Sequence, residues 1–558
     1  MAGRHQFDQP IRSVAVIGSG PSGLTASRHL SEAGLNVWIF ERQAHAGGIW
    51  NWQADIAPPL AIPTPPPSTA AFSPALTEAT TLYVPRRIID PHGKERALFS
   101  PPNPVYWSLS NNVPTNTMAF KDFPYPPGTD MNINHTLISS YLRSYVKEFG
   151  LDRLASFNTR VEKIERLHEP GKPRWRLTLR RVERVGEGVL NEQFWTEVRG
   201  LQTQGIGLVA GAYRVKDFDA VTIATGHYNA PYIPSLAGLD AWGKKWPSRI
   251  YHSQGYRIPE PYAGQTVLIV GIGTSGIDIA QDLSPQVKKI YMVGKNEIVG
   301  PEGYQMMRRG QRRWLPSNGE ALPEITSFED PESAEGMDKG VITLSDGRVI
   351  TGIDSIIFAT GYRYSYPFLA NLHQDPGSSA AVGDEELLIT SGEHVRNLYR
   401  DVFYVPDPTL SFLGLSVNTS AFSFFEYQGI AVARVFSGQA WLPDLAGRRQ
   451  ALASHEAVMG DGKFTHFLGK EGERRYVRET VEWVNRHALE NGAKPVEGHS
   501  EEWLAASDQI AELITKKYGG GVDVLKKRQE AEASEGAESN QVQADSFRAQ
   551  ASSLVEVR

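Results

Sequence analysis

Two glycine clusters carry the first chemical information in the chain. Gly18-Ser19-Gly20-Pro21-Ser22-Gly23 and Gly271-Ile272-Gly273-Thr274-Ser275-Gly276 share the spacing Gly-x-Gly-x-x-Gly. In that spacing the first glycine permits a tight turn, the second lets backbone N–H groups approach a pyrophosphate, and the third lets a helix pack closely on a strand. The N-terminus of the helix adds positive potential at the phosphates. Glu41, 18 residues past Gly23, can accept hydrogen bonds from ribose hydroxyls. The second cluster lacks such an acid: 23 residues past Gly271 stands Gly294, followed by Lys295. A vacancy for the acid beside a cation suits a 2′-phosphate, so NADP is expected there. The plainer reading of Lys295 is a solvated surface charge. Arg308, Arg309, Arg312 and Arg313 can also serve the phosphate, or remain solvated in a loop.

This chemistry requires strand, turn and helix in that order, and the flanking patterns supply them. Ser13–Ile17 is a β-branched run that stops at Gly18; Leu24 to Ala33 reads as helix closed by Gly34; Val37 to Phe40 is a second apolar run. The later unit repeats the pattern with a strand over Thr266–Val270, a helix from Ile277 to Leu283 and a strand over Ile290–Val293. Two further runs, Ala220 to Gly226 and Ser355 to Gly361, both end in Ala-Thr-Gly and bracket the second cluster. They are expected to be crossing points between two domains. Ile138 to Leu151 reads as a helix with Leu137, Tyr141, Leu142, Tyr145 and Phe149 on one face. Six prolines between 58 and 67 exclude helix and central strand, so a long extended surface excursion is expected there.

Composition narrows the function. At 558 residues the chain is long enough for roughly three to four domain-sized units. With 41% hydrophobic and 22% charged residues it reads as an ordinary soluble globular protein. The net charge of −6 offers no basic excess for nucleic acid. Cysteine is absent, which excludes disulfide scaffolds, thiolate metal sites, iron–sulfur clusters and Cys nucleophiles. No metal site is expected. No apolar run approaches a membrane span and no signal peptide is evident, so a cytoplasmic protein without an integral membrane anchor is expected.

Two nucleotide sites imply two cofactors exchanging a hydride, and a flavin in the N-terminal site with a nicotinamide in the second is the natural pair. Flavin disulfide reductases pass electrons to a cysteine pair, which this chain does not have. Oxygen, a quinone or another acceptor remains.

Further strings resemble class B flavin-containing monooxygenases. Arg42 through Gly47-Gly48-Ile49-Trp50 is similar to their Gly-Gly-x-Trp continuation. Tyr106-Trp-Ser-Leu109-Ser-Asn111-Asn112-Val-Pro114 is similar to Tyr-x-x-Leu-x-Thr-Asn-x-Pro, with Asn111 where Thr is usual. Trp246 through His252 to Tyr256 resembles the fingerprint Phe-x-Gly-x-x-x-His-x-x-x-Tyr/Phe, with Trp246 and Ser248 as departures. Leu413-Gly-Leu and the stretch from Phe425 through Gln428 to Gly438 resemble the helix that closes the flavin site. The matches run in family order from about residue 13 to 438.

The resemblance implies an FAD enzyme that uses NADPH and O2, forms a C4a-hydroperoxyflavin and transfers oxygen to an amine nitrogen or sulfide sulfur of a small organic molecule; the long excursions suit a specialised biosynthetic substrate. It implies that Asn112 is the active-site residue, donating and accepting hydrogen bonds at the flavin edge; an Asn capping a turn before Pro114 is the alternative. Flavin-side contacts are expected from Gly18, Ser19, Gly20, Pro21, Ser22, Gly23, Glu41, Arg42, Gly48, Ile49, Trp50, Asn111, Asn112 and Gln428. NADPH contacts are expected from Gly271, Gly273, Thr274, Ser275, Gly276, Asp278 and Lys295. Trp50 as plain core and His252 as a domain-packing residue are the competing assignments. The rival functions are Baeyer–Villiger oxygenation of a ketone, an NADPH-dependent flavin oxidase, and a degenerate flavoprotein kept as a scaffold.

The expected fold class is α/β, with two Rossmann-like dinucleotide-binding domains, the NADP domain inserted into a discontinuous FAD domain. Expected boundaries are 10–227 for the first FAD part (with the Pro-rich excursion over 54–105), 228–357 for the NADP domain, and 358–525 for the second FAD part and a C-terminal extension. Residues 526–558, poor in large apolar groups, are expected to be a disordered tail.

Overall fold

The computed structural model describes residues 3–55, 59–68, 86–90, 93–168, 174–186, 189–195, 217–295, 297–375, 377, 382–491 and 493–518. The tail over 526–558 lies outside them.

Two parallel sheets organise the chain. The strands Ser13–Ile17, Asn36–Phe40 and Ala220–Ile223 pair in parallel, with Val14 opposite both Val37 and Ala220. Ala155–Ser156 extends this sheet on one side, and Leu410–Phe412, Phe403–Tyr404 and Leu398–Tyr399 extend it on the other to seven strands. The second sheet runs in the order Ile250–His252, Ser355–Phe358, Thr266–Val270, Lys289–Val293, Gly319–Leu322, all parallel. Strands such as Val14–Ile17 and Val267–Val270 are buried throughout, as continuous apolar runs covered on both faces must be. Every strand of the second sheet falls between residues 250 and 358, whereas the first draws strands from both sides of that span. The second Rossmann-like unit is therefore an insertion in the first.

The helix Pro21–Glu32 begins three residues earlier than the apolar pattern suggests, with Pro21 at its first position and Gly20 extended before it. The helix His135–Glu148 is capped by Asn134, whose Oδ1 accepts from the Thr136 backbone N–H at 2.9 Å. Ile138, Leu142 and Tyr145 form its buried face, while Leu137 is 55% exposed.

Two features add to the expected architecture. The segment over 59–68 is extended, as its prolines require, and is docked along the surface, while 56–58 and 69–85 of the expected excursion lie outside the described residues. Ile62 packs into the core of the second unit, and Thr64 and Ile233 exchange hydrogen bonds at 3.1–3.3 Å. A few residues on, Ser365 donates its hydroxyl to Pro67 O at 2.5 Å and Ser68 bonds Asp375, both on the first unit's side. The second feature is a four-stranded antiparallel sheet of Arg86–Ile89, Val189–Trp195, Trp175–Gly186 and Thr159–Arg166, for which the sequence carries no plain strand pattern. Its strands are thick with arginine and glutamate, so the alternation that buries Trp175, Leu177 and Leu179 was masked by charge.

At the C-terminal end the helix Phe422–Phe436 lies on Pro21–Glu32, close enough that a Cβ on Gly429 would stand 3.2 Å from Ala26 Cα. Helices Gly469–Glu490, Glu501–Asp508 and Ile510–Tyr518 follow. Among the described residues no helix is long and apolar enough to cross a membrane.

Candidate active site

Each glycine turn presses on the Ala-Thr-Gly end of a neighbouring strand. Gly18 has φ +102° and Gly271 φ +117°; a Cβ on either would stand 2.6 Å from Ala224 O or 2.4 Å from Ala359 O. Only glycine fits both the conformation and the gap. The third glycines close the turns from the helix side. A Cβ on Gly23 would meet Gly18 O at 1.9 Å, and one on Gly276 would meet Gly271 O at 2.1 Å. Gly23 and Gly276 therefore shape the turns from behind.

One cavity joins the two turns. Gly18, Gly20, Pro21 and Ser22 line it on one side, and Thr274, Ser275 and Asp278 on the other. Glu41, Arg42, Gly48, Ile49 and Trp50 continue the first wall, and Asn111 and Asn112 stand between. Glu41 is 5% exposed and holds three donors: Ser19 N–H and Oγ–H on Oε2, and Gln43 N–H on Oε1, each at 2.8 Å. Ser19 thus acts on the cavity through Glu41, and Oε1 keeps one acceptor direction for a ribose hydroxyl. Trp50 meets Phe422 edge-on at 6.1 Å and still faces the cavity, so it is wall as well as packing.

The neighbouring loop is held by a residue that the sequence reading missed. Asn103, 4% exposed, donates from Nδ2 to Gly48 O at 2.9 Å and to Asn51 O at 2.8 Å, while its Oδ1 accepts from Gln43 Nε2. It sits at the end of a proline-rich stretch with no motif around it.

Two expected contact residues have their amides engaged with the chain. Asn111 commits its amide to the chain, donating to Val113 O and Met131 O and accepting from Ile133 N–H. Gln428 is fully buried and accepts from Gly414 N–H at 3.1 Å, so it supports a cavity residue without lining the cavity itself.

On the second unit Lys295 is exposed and does not line the cavity; its carbonyl accepts from Arg312. The arginines lie on and just after a helix, Glu302–Arg312, and not in a loop. Arg308 lies against the glycine turn: it donates to Ile272 O at 3.2 Å, and a Cβ on Gly273 would touch its Nη1 at 2.6 Å. Gln311 from the same helix donates to Thr274 Oγ1 at 3.0 Å.

His252 is 1% exposed and fully engaged. Nε2–H donates to Gly361 O at 2.9 Å, Nδ1 accepts from Gln254 N–H at 3.1 Å, and burial lowers its pKa to about 3. A neutral imidazole with both nitrogens committed ties the second sheet's edge to the returning chain. It has no free nitrogen for proton transfer.

Comparison with known proteins decides the family. Residues 204–304 and 332–495 match the model for flavin-binding monooxygenase-like proteins, and 16–62 match that for an NAD(P)-binding Rossmann-like domain. Over 516 residues the chain is 32% identical to the flavin-containing monooxygenase iboF of Amanita muscaria, covering 88% of this chain and 91% of that protein. The chain belongs to the flavin-containing monooxygenase family. A second flavin-containing monooxygenase, ustF2 of Aspergillus flavus, is 32% identical over 532 residues, 91% of this chain and 98% of its own. In fold this monooxygenase is similar to the S-allyl-L-cysteine S-oxygenase of Allium sativum, with a TM-score of 0.60 at 23% identity, covering 98% and 99% of the two chains.

The cofactors of this flavin-containing monooxygenase are FAD and NADPH, and its residues fit them. Gly20 and Gly48 face each other across a gap that side chains would fill, at the N-terminus of Pro21–Glu32, where a pyrophosphate is favoured. The N-terminus of Thr274–Leu283 with Arg308 beside it offers the same to NADPH.

Proposed function

We propose that this monooxygenase uses NADPH and O2 to place one oxygen atom on a soft nucleophile, an amine nitrogen or a sulfide sulfur, of a small organic molecule. The observation that supports this reading is the position of Asn112 in the cavity, between the wall built by the first glycine turn and the helix Thr274–Leu283. When bound, the flavin supplies electron transfer and oxygen activation. The chain's part is to orient, to keep water out and to control protons.

Asn112 donates and accepts hydrogen bonds without titrating, so it can hold a polar group at the reaction centre at any working pH. Two ring-bearing residues of the wall, His227 and Tyr362, are neutral. His227 donates from Nδ1 to Gly414 O at 3.0 Å, and burial lowers its pKa to about 4, so at pH 7 the ring is uncharged. Burial also raises the Tyr362 phenol far above neutrality. Neutral groups of this kind suit an uncharged nucleophile with an exposed lone pair. With no cysteine in the chain, no thiol competes for the oxygen.

A specialised substrate fits better than a broad range, because the docked segment over 59–68 and the C-terminal helices both pack over the two units. Efficient turnover of many simple amines and sulfides would count against that part.

Incubation with NADPH and isotopically labelled O2 against a panel of thioethers, tertiary amines and cyclic ketones tests the reaction type. Label in a sulfoxide or N-oxide is the expected result. A labelled lactone in its place would make the enzyme a Baeyer–Villiger oxygenase, and hydrogen peroxide alone with every candidate would make it an oxidase. Asn112→Ala should lose product at least tenfold while still accepting electrons from NADPH.

A further inference from the structure

We infer that Lys517, on the last described helix, is a positioning residue for Asn112. The inference rests on the reading that Asn112 is the polar group of the oxygen-transfer site. Lys517 lies beyond residue 495, where the match to the family model ends.

The C-terminal helices are fastened around the site. Ser500 caps Glu501–Asp508, accepting from Trp503 N–H at 3.1 Å. The Trp503 indole N–H then donates to Thr117 O at 2.9 Å, on the short helix Thr115–Met118 that follows Asn112. Arg474 donates to Leu504 O at 2.7 Å and to Asp508 Oδ1 at 2.8 Å, with Lys470 also on Asp508 at 3.0 Å. In Ile510–Tyr518, Ile514 packs against the apolar cluster that holds Tyr106 and Ile277.

Three residues on, about one turn along the same helix, Lys517 Nζ stands 2.7 Å from Asn112 Oδ1 and 3.9 Å from Asp278 Oδ1. Asp278 also accepts from the Tyr106 hydroxyl at 2.6 Å on its other oxygen. One cation therefore joins a residue of each nucleotide-binding unit beside the cavity.

An ammonium only donates. It holds the amide with Oδ1 toward itself and the NH2 edge turned away, a choice an Asn amide does not otherwise make by shape. Charge assistance makes this the stronger kind of hydrogen bond. Lys517 thereby selects which edge of Asn112 meets the reacting groups, and Asp278 keeps the cation in place.

Lys517→Met and Lys517→Arg in the full-length, FAD-loaded enzyme test this. The readouts are hydrogen peroxide released per NADPH oxidised, the visible circular dichroism of the oxidised flavin, and thermal midpoint. We expect Lys517→Met to raise the peroxide yield at least threefold and alter the flavin dichroism with an unchanged midpoint, and Lys517→Arg to restore most of both. Asn112→Ala and Asn112→Ala/Lys517→Met should then give the same peroxide yield, because the lysine acts through the amide. Wild-type yield and dichroism in Lys517→Met, or additive effects in the double variant, would overturn the inference. Equal loss of thermal stability in both single variants would make Lys517 a structural strut instead. If the wild-type enzyme oxygenates nothing, the functional reading fails by itself, and the dichroism still decides the contact.

Discussion

Gly20 and Gly48 meet almost backbone to backbone: a Cβ on Gly48 would stand 2.8 Å from Gly20 Cα. The phosphate-turn glycine and the loop glycine before Trp50, 28 positions apart in sequence, thus form opposite lips of one slot. Gly48 also has φ +59°, where an L side chain costs about 1–2 kcal/mol before any clash is counted. Gly48→Ala is expected to yield folded protein purified largely without FAD. The flavin-to-protein absorbance ratio measures this, and a fully loaded variant would refute it.

Glu41 gathers three donors with its two oxygens, and an amide has one acceptor atom where the carboxylate has two. Glu41→Gln must turn an NH2 toward Ser19 or Gln43, leaving donor facing donor. FAD affinity is expected to fall about tenfold, near 1.4 kcal/mol, by titration of the apoenzyme. An unchanged constant would remove Glu41 from the ribose site.

Arg308 lies at the second glycine turn and Lys295 lies outside it, so their loss should differ in kind. Arg308→Ala is expected to weaken NADPH and NADH alike. Lys295→Glu should weaken NADPH alone, by about tenfold if it pairs with the 2′-phosphate. Steady-state KM values for both nucleotides check this, and equal ratios in the two variants would leave Lys295 as a surface charge.

Glu473 is a buried carboxyl whose Oε2 accepts from Ser420 N–H at 2.9 Å, and burial pushes its pKa up to about 7. The folded state therefore binds a proton more tightly than the unfolded chain does. Stability from this group is complete below pH 4.5 and is lost as pH rises toward 7, by on the order of 3 kcal/mol. Glu473→Gln should match the wild type at pH 5 and melt higher at pH 8. Parallel pH–melting curves would refute the assignment.

Much of the scaffold was legible because its sequence signals are local. Ser13–Ile17 and Thr266–Val270 were readable to the residue, since a buried parallel strand is a bare apolar run ended by a glycine that no other residue can replace. Glu41 was legible by its distance from the turn. What escaped depends on contacts distant in sequence. Asn103 holds Gly48 across 55 positions, and Lys517 reaches Asn112 across 405. No spacing rule announces an asparagine among prolines or a lysine on a short amphipathic helix. Asn111 lines the cavity and Gln428 stands behind it on Gly414, because a motif records that a residue matters and not which of its neighbours it touches.

The segment over 59–68 has a mechanical consequence. It is bonded to Ile233 in the inserted unit and, through Pro67 and Ser68, to Ser365 and Asp375 on the side of the first unit. A chain that crosses between two units twice at the sheet ends, and is laced a third time by this segment, cannot melt one unit while leaving the other's surface intact. Calorimetry should record a single cooperative endotherm, and Thr64→Val together with Ser365→Ala should split it into two.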